Sequence, residues 1–303
     1  MSDHDSPFEL VTLRGGACSI RSKVHGETMH IGTGPTQEAL ELHVRQQRLV
    51  ERVGEWSRPD PFVIWDIGLG PAGNAITAIE ALRGAVSARG EAASVEIHSF
   101  EISTEVLEFA LGHAAALGYL SGWEGVVARL LSEGIAHPVP GISWRLHRGD
   151  FSRVPISAPP PASVFFDPYS PARNPEMWSL ETFRLIRHAV SASGAPDCVM
   201  TNYTRSTSVR VTMLLAGWHV GTGIPTGEKS ETTIAANRPG LLEKPLGGSW
   251  IARVRSSTNA MPIRGRNHER GPIDREDLAL LERLDQFSGA GMYSGASRCD
   301  AVA

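Results

Sequence analysis

The chain has 303 residues, 41% of them apolar, enough to bury a large core as one domain with extensions. Its formal charge of −4 gives no overall basic footprint of the kind nucleic-acid binding usually leaves, although a local patch can sit on an acidic protein. The cysteines, Cys18, Cys198 and Cys299, are odd in number and lack metal-ligand spacing, which suits a cytoplasmic protein and argues against a disulfide scaffold or zinc site; no segment approaches about 20 uninterrupted apolar residues, so no membrane span is expected.

The opening MSDHDS lacks a basic region followed by an apolar core and does not read as a secretion signal. Residues 1–60 read as an accessory region, with short strands over 8–13, 21–24 and 26–31 and a helix over 35–50. Leu40, Val44 and Leu49 give that helix an incomplete apolar stripe. Residues 61–240 alternate strands and helices. Strands are expected at 62–65, 95–100, 142–147, 163–166 and 195–201. Helices are expected at 74–83, 105–117, 122–131, 180–190 and 206–216, and a closing antiparallel hairpin uses 218–220 and 231–235. This alternation predicts a doubly wound, Rossmann-like α/β sheet. Residues 241–303 form a C-terminal extension: a basic, turn-rich stretch over 245–255, an amphipathic helix over 274–287, and a loosely ordered last dozen residues.

The loop DIGLGPAGN, Asp66 to Asn74, follows the first strand of the alternating region and opens a helix. Gly68 and Gly70 let backbone approach a ligand with no Cβ in the way, and Pro71 and Gly73 shape the turn. Gly68, Gly70 and Gly73 match the bare spacing of the dinucleotide fingerprint, but the acid expected about 20 residues on is missing, because Glu101 lies well beyond that distance. No Gly-Lys-Ser/Thr ends the loop, so it is not a P-loop. A glycine loop that starts with an acid suits an adenosyl ligand without a pyrophosphate, Asp66 orienting its cationic amino-acid portion. A hydride-transfer enzyme is the lower-ranked reading.

Glu101 ends the second strand of this region, where nucleotide-binding sheets place an acid on ribose hydroxyls, or else it caps a helix. Asp150 ends the third, placed to accept from an adenine amino group with Phe151 alongside, or else it belongs to a surface turn. After the fourth strand comes the most informative run, DPYSPARNPEMW, Asp167 to Trp178. Its three prolines leave little room for a regular element. The loop thus holds Asp167, Tyr169, Arg173, Asn174, Glu176 and Trp178 at a strand end, where open α/β sheets bind ligands. Asp167 is placed to hydrogen-bond an amine acceptor and help take up its proton. Tyr169 and Trp178 offer rings to a base or a sulfonium, though Trp178 reads equally as a core anchor. Asn174 can bond a base edge or the loop backbone. Glu176 either orients Arg173 or caps the next helix. His98, His188 and His219 make no metal-ligand pattern, and no metal is expected.

The strand–glycine-loop–helix start and the successive strand-end acids resemble class I S-adenosylmethionine methyltransferases. More narrowly, DPYSPARNPEMW resembles the DGFAPAKNPEMW run of the methyltransferase domain in the bacterial tRNA 5-methylaminomethyl-2-thiouridine biosynthesis enzymes. The likeness covers roughly residues 20–240 and includes GETMHI at 26–31 and the acidic helix near Glu38 and Glu41. It implies S-adenosylmethionine as cofactor, with Glu101 and Asp150 as its acids, and the candidate cofactor residues are then Asp66, Gly68, Gly70, Asn74, Glu101, Asp150 and Phe151. It implies transfer of a methyl group to the exocyclic amine of an aminomethyl group on the wobble uridine of tRNA, with Asp167 as the motif acid; for such a transfer the chemistry of the residues adds Tyr169 and Asn174 at the reacting centre and Arg173, Glu176, Trp178 and Lys229 on the acceptor. That family often fuses this domain to a flavin-dependent oxidase. No second nucleotide fingerprint occurs here, so a stand-alone methyltransferase is expected, with a separate enzyme supplying the aminomethyl uridine. Two departures stand out: Pro168 and Tyr169 replace the family's glycine and phenylalanine, and its later GxKRE-like segment is GEKSE over 227–231.

A tRNA acceptor needs cationic contacts to phosphate, for which Arg205, Arg210, Lys229, Arg238, Lys244, Arg253, Arg255, Arg264 and Arg266 are candidates, with Trp250 among the last; these charges also read as an ordinary solvated surface. Two other functions stay open: a small-molecule amine methyltransferase of the same fold, and a non-catalytic tRNA- or protein-binding module.

Overall fold

The computed structural model describes residues 6–29, 34–90, 94–153, 157–227 and 229–287. Within them the sheet is doubly wound. Strand β4 (Phe62–Ile67) pairs in parallel with β5 (Val95–Glu101) on one side and β8 (Ser163–Phe166) on the other; β5 pairs in parallel with β7 (Ile142–Arg148), and β8 with β9 (Val199–Asn202). The hairpin of β10 (His219–Gly223) and β11 (Thr232–Ala236) closes one edge, β11 lying antiparallel between β9 and β10. Because the chain moves outward from β4 through β5 and β7, then returns to β8 and moves the other way, the topological switch falls between β4 and β8. That is where open sheets leave a ligand crevice.

Strand pleating explains the two-layer core. Phe62 and Ile64 of β4 face one hydrophobic cluster, and Val63, Trp65 and Ile67 face the other. The first cluster takes Leu49 and Val53 of α2 (Leu49–Gly54), Ile76, Ile79 and Leu82 of α3 (Gly73–Arg89), Leu107 of α4 (Glu105–Gly112), and Val127 and Leu130 of α6 (Glu124–Glu133). The second takes Phe183 and Ile186 of α7 (Leu180–Ala189), Val209 and Met213 of α8 (Thr207–Leu215), Trp250 and Val254 of α9 (Gly248–Ser256), and Leu281 of α10 (Arg275–Glu282). A separate antiparallel sheet of β1 (Phe8–Thr12), β2 (Cys18–Ser22) and β3 (Glu27–Thr28) lies at the N-terminal side.

Several elements differ from the sequence pattern. The strand expected at 21–24 is the end of β2, and the chain turns over 23–26. The strand expected at 26–31 shortens to Glu27–Thr28, with His30 and Ile31 outside the described residues. The helix expected over 35–50 is α1 (Pro35–Ala39), a π-helical turn Leu40–Arg45, and then α2 after a break at Arg48, whose φ is +50°. Tertiary hydrogen bonds account for the break: His43 Nδ1 meets Thr201 Oγ1 at 2.9 Å, and the Gln47 amide donates to Thr201 Oγ1 at 2.8 Å and to the Val164 carbonyl at 3.1 Å. The helix over 105–117 likewise divides, ending in a short α5 (Ala114–Leu117). Strand β6 (Ile135–Val139), absent from the pattern, pairs antiparallel with β7 through an irregular register, an edge position that tolerates Pro138. The basic stretch over 245–255 is largely helix α9, and Trp250, expected among surface cations, is buried and stacked 6.2 Å from Phe287. Asp274 caps α10 by accepting from the Asp277 N–H at 2.8 Å. Cys299 and the last dozen residues lie outside the described residues.

Candidate active site

Three strand ends are tied together at the switch point. The Gly68 N–H donates to the Phe100 carbonyl at 3.0 Å, and the Asp167 N–H donates to the Ile67 carbonyl at 2.9 Å. Gly68 has φ +89°, and a Cβ there would lie 2.8 Å from the Asp167 carbonyl oxygen, so only glycine fits between β4 and β8. Ala72, not Gly73, takes the left-handed conformation that starts α3, with φ +67°.

Above these ends lies a cavity of about 720 Å³, within the range of small-molecule sites. One side is built from Gly68, Gly70, Glu101, Asp150 and Phe151, with Phe100 and Ile102 adding apolar surface. Glu101 accepts from the Gly70 N–H at 3.0 Å and the Ile102 N–H at 2.9 Å, so its carboxylate is fixed against the glycine loop. Burial raises its pKa, opposed by those backbone donors. Asp150 accepts from the Ser152 N–H and hydroxyl at 3.0 and 2.7 Å and pairs with Arg153 at 3.1 Å. Phe151 packs edge-on against Phe100, centroids 5.0 Å apart. The bare glycine cradle, the anchored carboxylate and the flanking aromatic and aliphatic faces fit an adenosyl cofactor.

The acceptor side of the same cavity is assigned to Asp167, Tyr169, Asn174, Glu176 and Lys229, all of which line it. Asp167 Oδ2 accepts from the Asn74 amide at 2.7 Å. Lys229 Nζ stands 4.3 Å from the Tyr203 ring centroid, and the Tyr203 hydroxyl donates to the Pro168 carbonyl at 2.9 Å.

Other expected site residues lie elsewhere. Asp66 is fully buried inside β4, outside the cavity lining, and accepts from the Ser99 hydroxyl at 2.7 Å; Ser99 Oγ in turn accepts from Trp144 Nε1 at 2.9 Å. Burial above all, with repulsion from Asp167 and Glu101, pushes Asp66 from 3.8 up to about 7. It therefore props the sheet and does not face a ligand. Asn74 is also outside the lining and acts on the site through Asp167. Trp178 is completely buried beneath the loop, edge-on to Phe166 at 5.0 Å and Tyr203 at 5.5 Å, and donates to the Tyr169 carbonyl at 2.8 Å, so it anchors the loop and offers no ring to an acceptor. Arg173 is exposed and outside the lining, beside Gly26. Glu176 pairs with Arg266 at 2.9 Å and Arg153 at 3.8 Å, not with Arg173, and the cap of α7 is Ser179.

One wall of the cavity comes from residues outside the sequence-derived site. His25, Glu27 and Glu38, from β2–β3 and α1, line the acceptor side, as does Tyr203 from the end of β9. Tyr203 follows the strand-end rule and was findable by it; the N-terminal residues carry no such local signal.

Many cations proposed for phosphate are already paired. Arg210 is buried against Glu231 at 3.0 Å; Arg238 meets Asp197 at 3.0 Å, Arg255 meets Glu282 at 2.7 Å and Arg264 meets Asp277 at 2.7 Å. Among the described residues no cluster of three or more potential metal ligands occurs, and no helix is long and apolar enough to cross a membrane.

The antiparallel β11 inserted between β9 and β10, the glycine turn after β4 and the acid ending β5 define a class I methyltransferase domain. The signature of a family described as S-adenosyl-L-methionine-dependent methyltransferase matches residues 137–238. The tRNA 5-methylaminomethyl-2-thiouridine biosynthesis bifunctional protein MnmC of Methylibium petroleiphilum is 28% identical over 249 residues, 78% of this chain; the chain spans 36% of that relative's length. The crystal structure of MNMC2 from Aquifex aeolicus superposes with a TM-score of 0.65 at 22% identity, covering 94% of this chain and 86% of that one. A precorrin-6y C5,15-methyltransferase from Geobacter metallireducens covers 63% of this chain and 86% of its own at 16% identity, with a TM-score of only 0.36. The chain thus carries a class I S-adenosylmethionine methyltransferase domain related to the MnmC-type methyltransferases.

Proposed function

We propose that this protein is an S-adenosylmethionine-dependent N-methyltransferase converting 5-aminomethyl(-2-thio)uridine at the tRNA wobble position to its methylaminomethyl form. The observation that carries this reading is the placement of the Asp167–Trp178 loop, which brings Asp167, fixed by Asn74, into one cavity with Glu101 and the glycine turn. The MnmC relative, named for methylaminomethyl-thiouridine biosynthesis, supplies the acceptor.

Gly68, Gly70, Glu101, Asp150 and Phe151 hold the cofactor, which when bound supplies an electrophilic methyl group on a sulfonium. Asp167 accepts a hydrogen bond from the acceptor amine, orients its lone pair and stabilises the positive charge that nitrogen acquires; positioning of this kind supplies much of the rate. Tyr169 borders the acceptor. Arg205, Lys229, Lys244 and Arg253, for which no ion pair is found among the described residues, contact phosphate. A separate enzyme supplies the aminomethyl group. The small-amine reading draws on one observation, the ion pairing of all the other candidate cations, Arg210, Arg238, Arg255, Arg264 and Arg266.

Labelled methyl transfer to tRNA bearing the unmethylated aminomethyl group, run beside a panel of small amines, tests the proposal. Transfer to tRNA that weakens steeply with salt is expected. Transfer to small amines alone would replace this reading with the second.

A further inference from the structure

The outer wall of the acceptor side comes from the N-terminal strands, and it grips the loop that carries Asp167. Glu27, on β3, accepts from the Ser170 N–H at 3.1 Å through one oxygen and from the Ser170 hydroxyl through the other. Ser170 lies three residues past Asp167 on that loop. Beside this contact the His25 ring lies on the Tyr169 ring, centroids 4.2 Å apart and planes 31° apart. Gly26 brings the turn against Arg173, whose Nη2 is 3.6 Å from where a Cβ would stand. Below the loop, Trp178 and Tyr203 hold the Tyr169 and Pro168 carbonyls. The loop is therefore pinned from both faces, and the upper pins all come from residues 25–27. Pro168, Tyr169, Ser170 and Arg173 are the positions where the chain departs from the run it resembles, and the alanine that run carries at 170 could not make the hydroxyl contact to Glu27.

We propose that Glu27 is a positioning residue for methyl transfer: acting through Ser170, it sets the loop that presents Asp167 and Tyr169 to the acceptor, which makes the β2–β3 turn part of the acceptor site. Its two bonds to Ser170 are charge-assisted, the stronger kind. Loss of such a contact is worth about tenfold in an equilibrium or rate. This inference rests on the methyltransferase reading above.

The test compares Glu27→Ala, Glu27→Gln, Ser170→Ala and the Glu27→Ala/Ser170→Ala double variant in the full chain. Hydrogen exchange at the amides of residues 168–178 is read without any acceptor, cofactor affinity by calorimetry with S-adenosylhomocysteine, and acceptor KM and kcat by labelled transfer. Glu27→Ala is expected to speed exchange at Ser170 about tenfold and lower acceptor kcat/KM about tenfold while leaving cofactor Kd within about twofold. Glu27→Gln, which keeps one acceptor oxygen, falls between it and the wild type. The double variant is no worse than Glu27→Ala, because both changes break one contact. Unchanged exchange, unchanged acceptor kinetics, additive losses in the double variant, or a cofactor Kd that weakens as much as acceptor kinetics would each overturn the inference. If the wild type methylates small amines but not tRNA, the tRNA reading fails while Glu27 is still judged by kinetics on the amine. If it methylates neither, exchange and cofactor affinity decide whether the clamp exists and spares the cofactor.

Discussion

The ends of β4 and β8 lie side by side on parallel strands, and each carries an aspartate, yet the two carboxylates have opposite fates. Asp66 registers with Phe165, two residues before Asp167, so both acids follow the same pleat and face the α3 side of the sheet. One pleat of depth separates them. Asp66 falls under the glycine turn, fully buried, with Ser99 as its donor and no hydrogen-bond partner for its second oxygen among the described residues. Asp167 clears the turn, reaches the cavity and takes a neutral donor from Asn74. An acid at a strand end is therefore a ligand-facing group only when it lies beyond the level at which the adjoining loop closes over the sheet.

Substitutions can break this contrast. Asp167→Asn carries the largest expected effect: kcat/KM falls about a thousandfold, roughly 4 kcal/mol, with cofactor affinity nearly intact. Normal turnover, measured by labelled transfer, would remove Asp167 from the reacting centre. Asp66→Asn acts on stability. Its folded pKa, about 7, lies above 3.8, so its contribution is fully present below pH 3.8 and is lost as pH rises through about 7. The amide is neutral throughout, so the variant should lose that pH dependence and gain stability relative to the wild type above pH 7, by about 4 kcal/mol. Thermal melts at pH 4 to 8 check this, and an unchanged slope would place the titration elsewhere.

Asn74→Ala tests whether Asp167 needs its donor: turnover is expected to drop about tenfold, with cofactor Kd unchanged, because the lost bond is worth roughly 1–2 kcal/mol. Parallel loss of cofactor affinity would return Asn74 to the cofactor side. The smallest effect belongs to the turn that separates the two acids. Ala72 pays the left-handed penalty at φ +67°, so Ala72→Gly should be stabilising by up to about 1 kcal/mol, read as a small rise in denaturant midpoint.

How far the site was legible depends on which forces place each residue. Gly68 was legible because close strand approach demands glycine wherever the turn is this tight. Glu101 and Asp150 were legible because strand ends in parallel sheets point one way, and both do line the cavity. Trp178 reads as ring platform or core anchor from its loop alone. Its burial is decided by Phe166 and Tyr203, and Tyr203 comes from a different strand. Glu176 looked like a partner of Arg173, yet Arg266 from the C-terminal extension takes it. His43 and Gln47 broke a helix that periodicity had drawn as continuous, because Thr201 offers them buried hydrogen bonds.

By itself, then, the sequence determined the alternating α/β sheet, the glycine turn and the loop that bears Asp167, since period, turn chemistry and proline stiffness are local properties of the chain. Only the tertiary structure decided that Asp66 is a buried prop, that Trp178 is an anchor and that Glu27 and His25 wall the acceptor side. Burial and pairing are set by what distant segments bring to the same place, and no local pattern in residues 25–27 records that they meet residues 169–173.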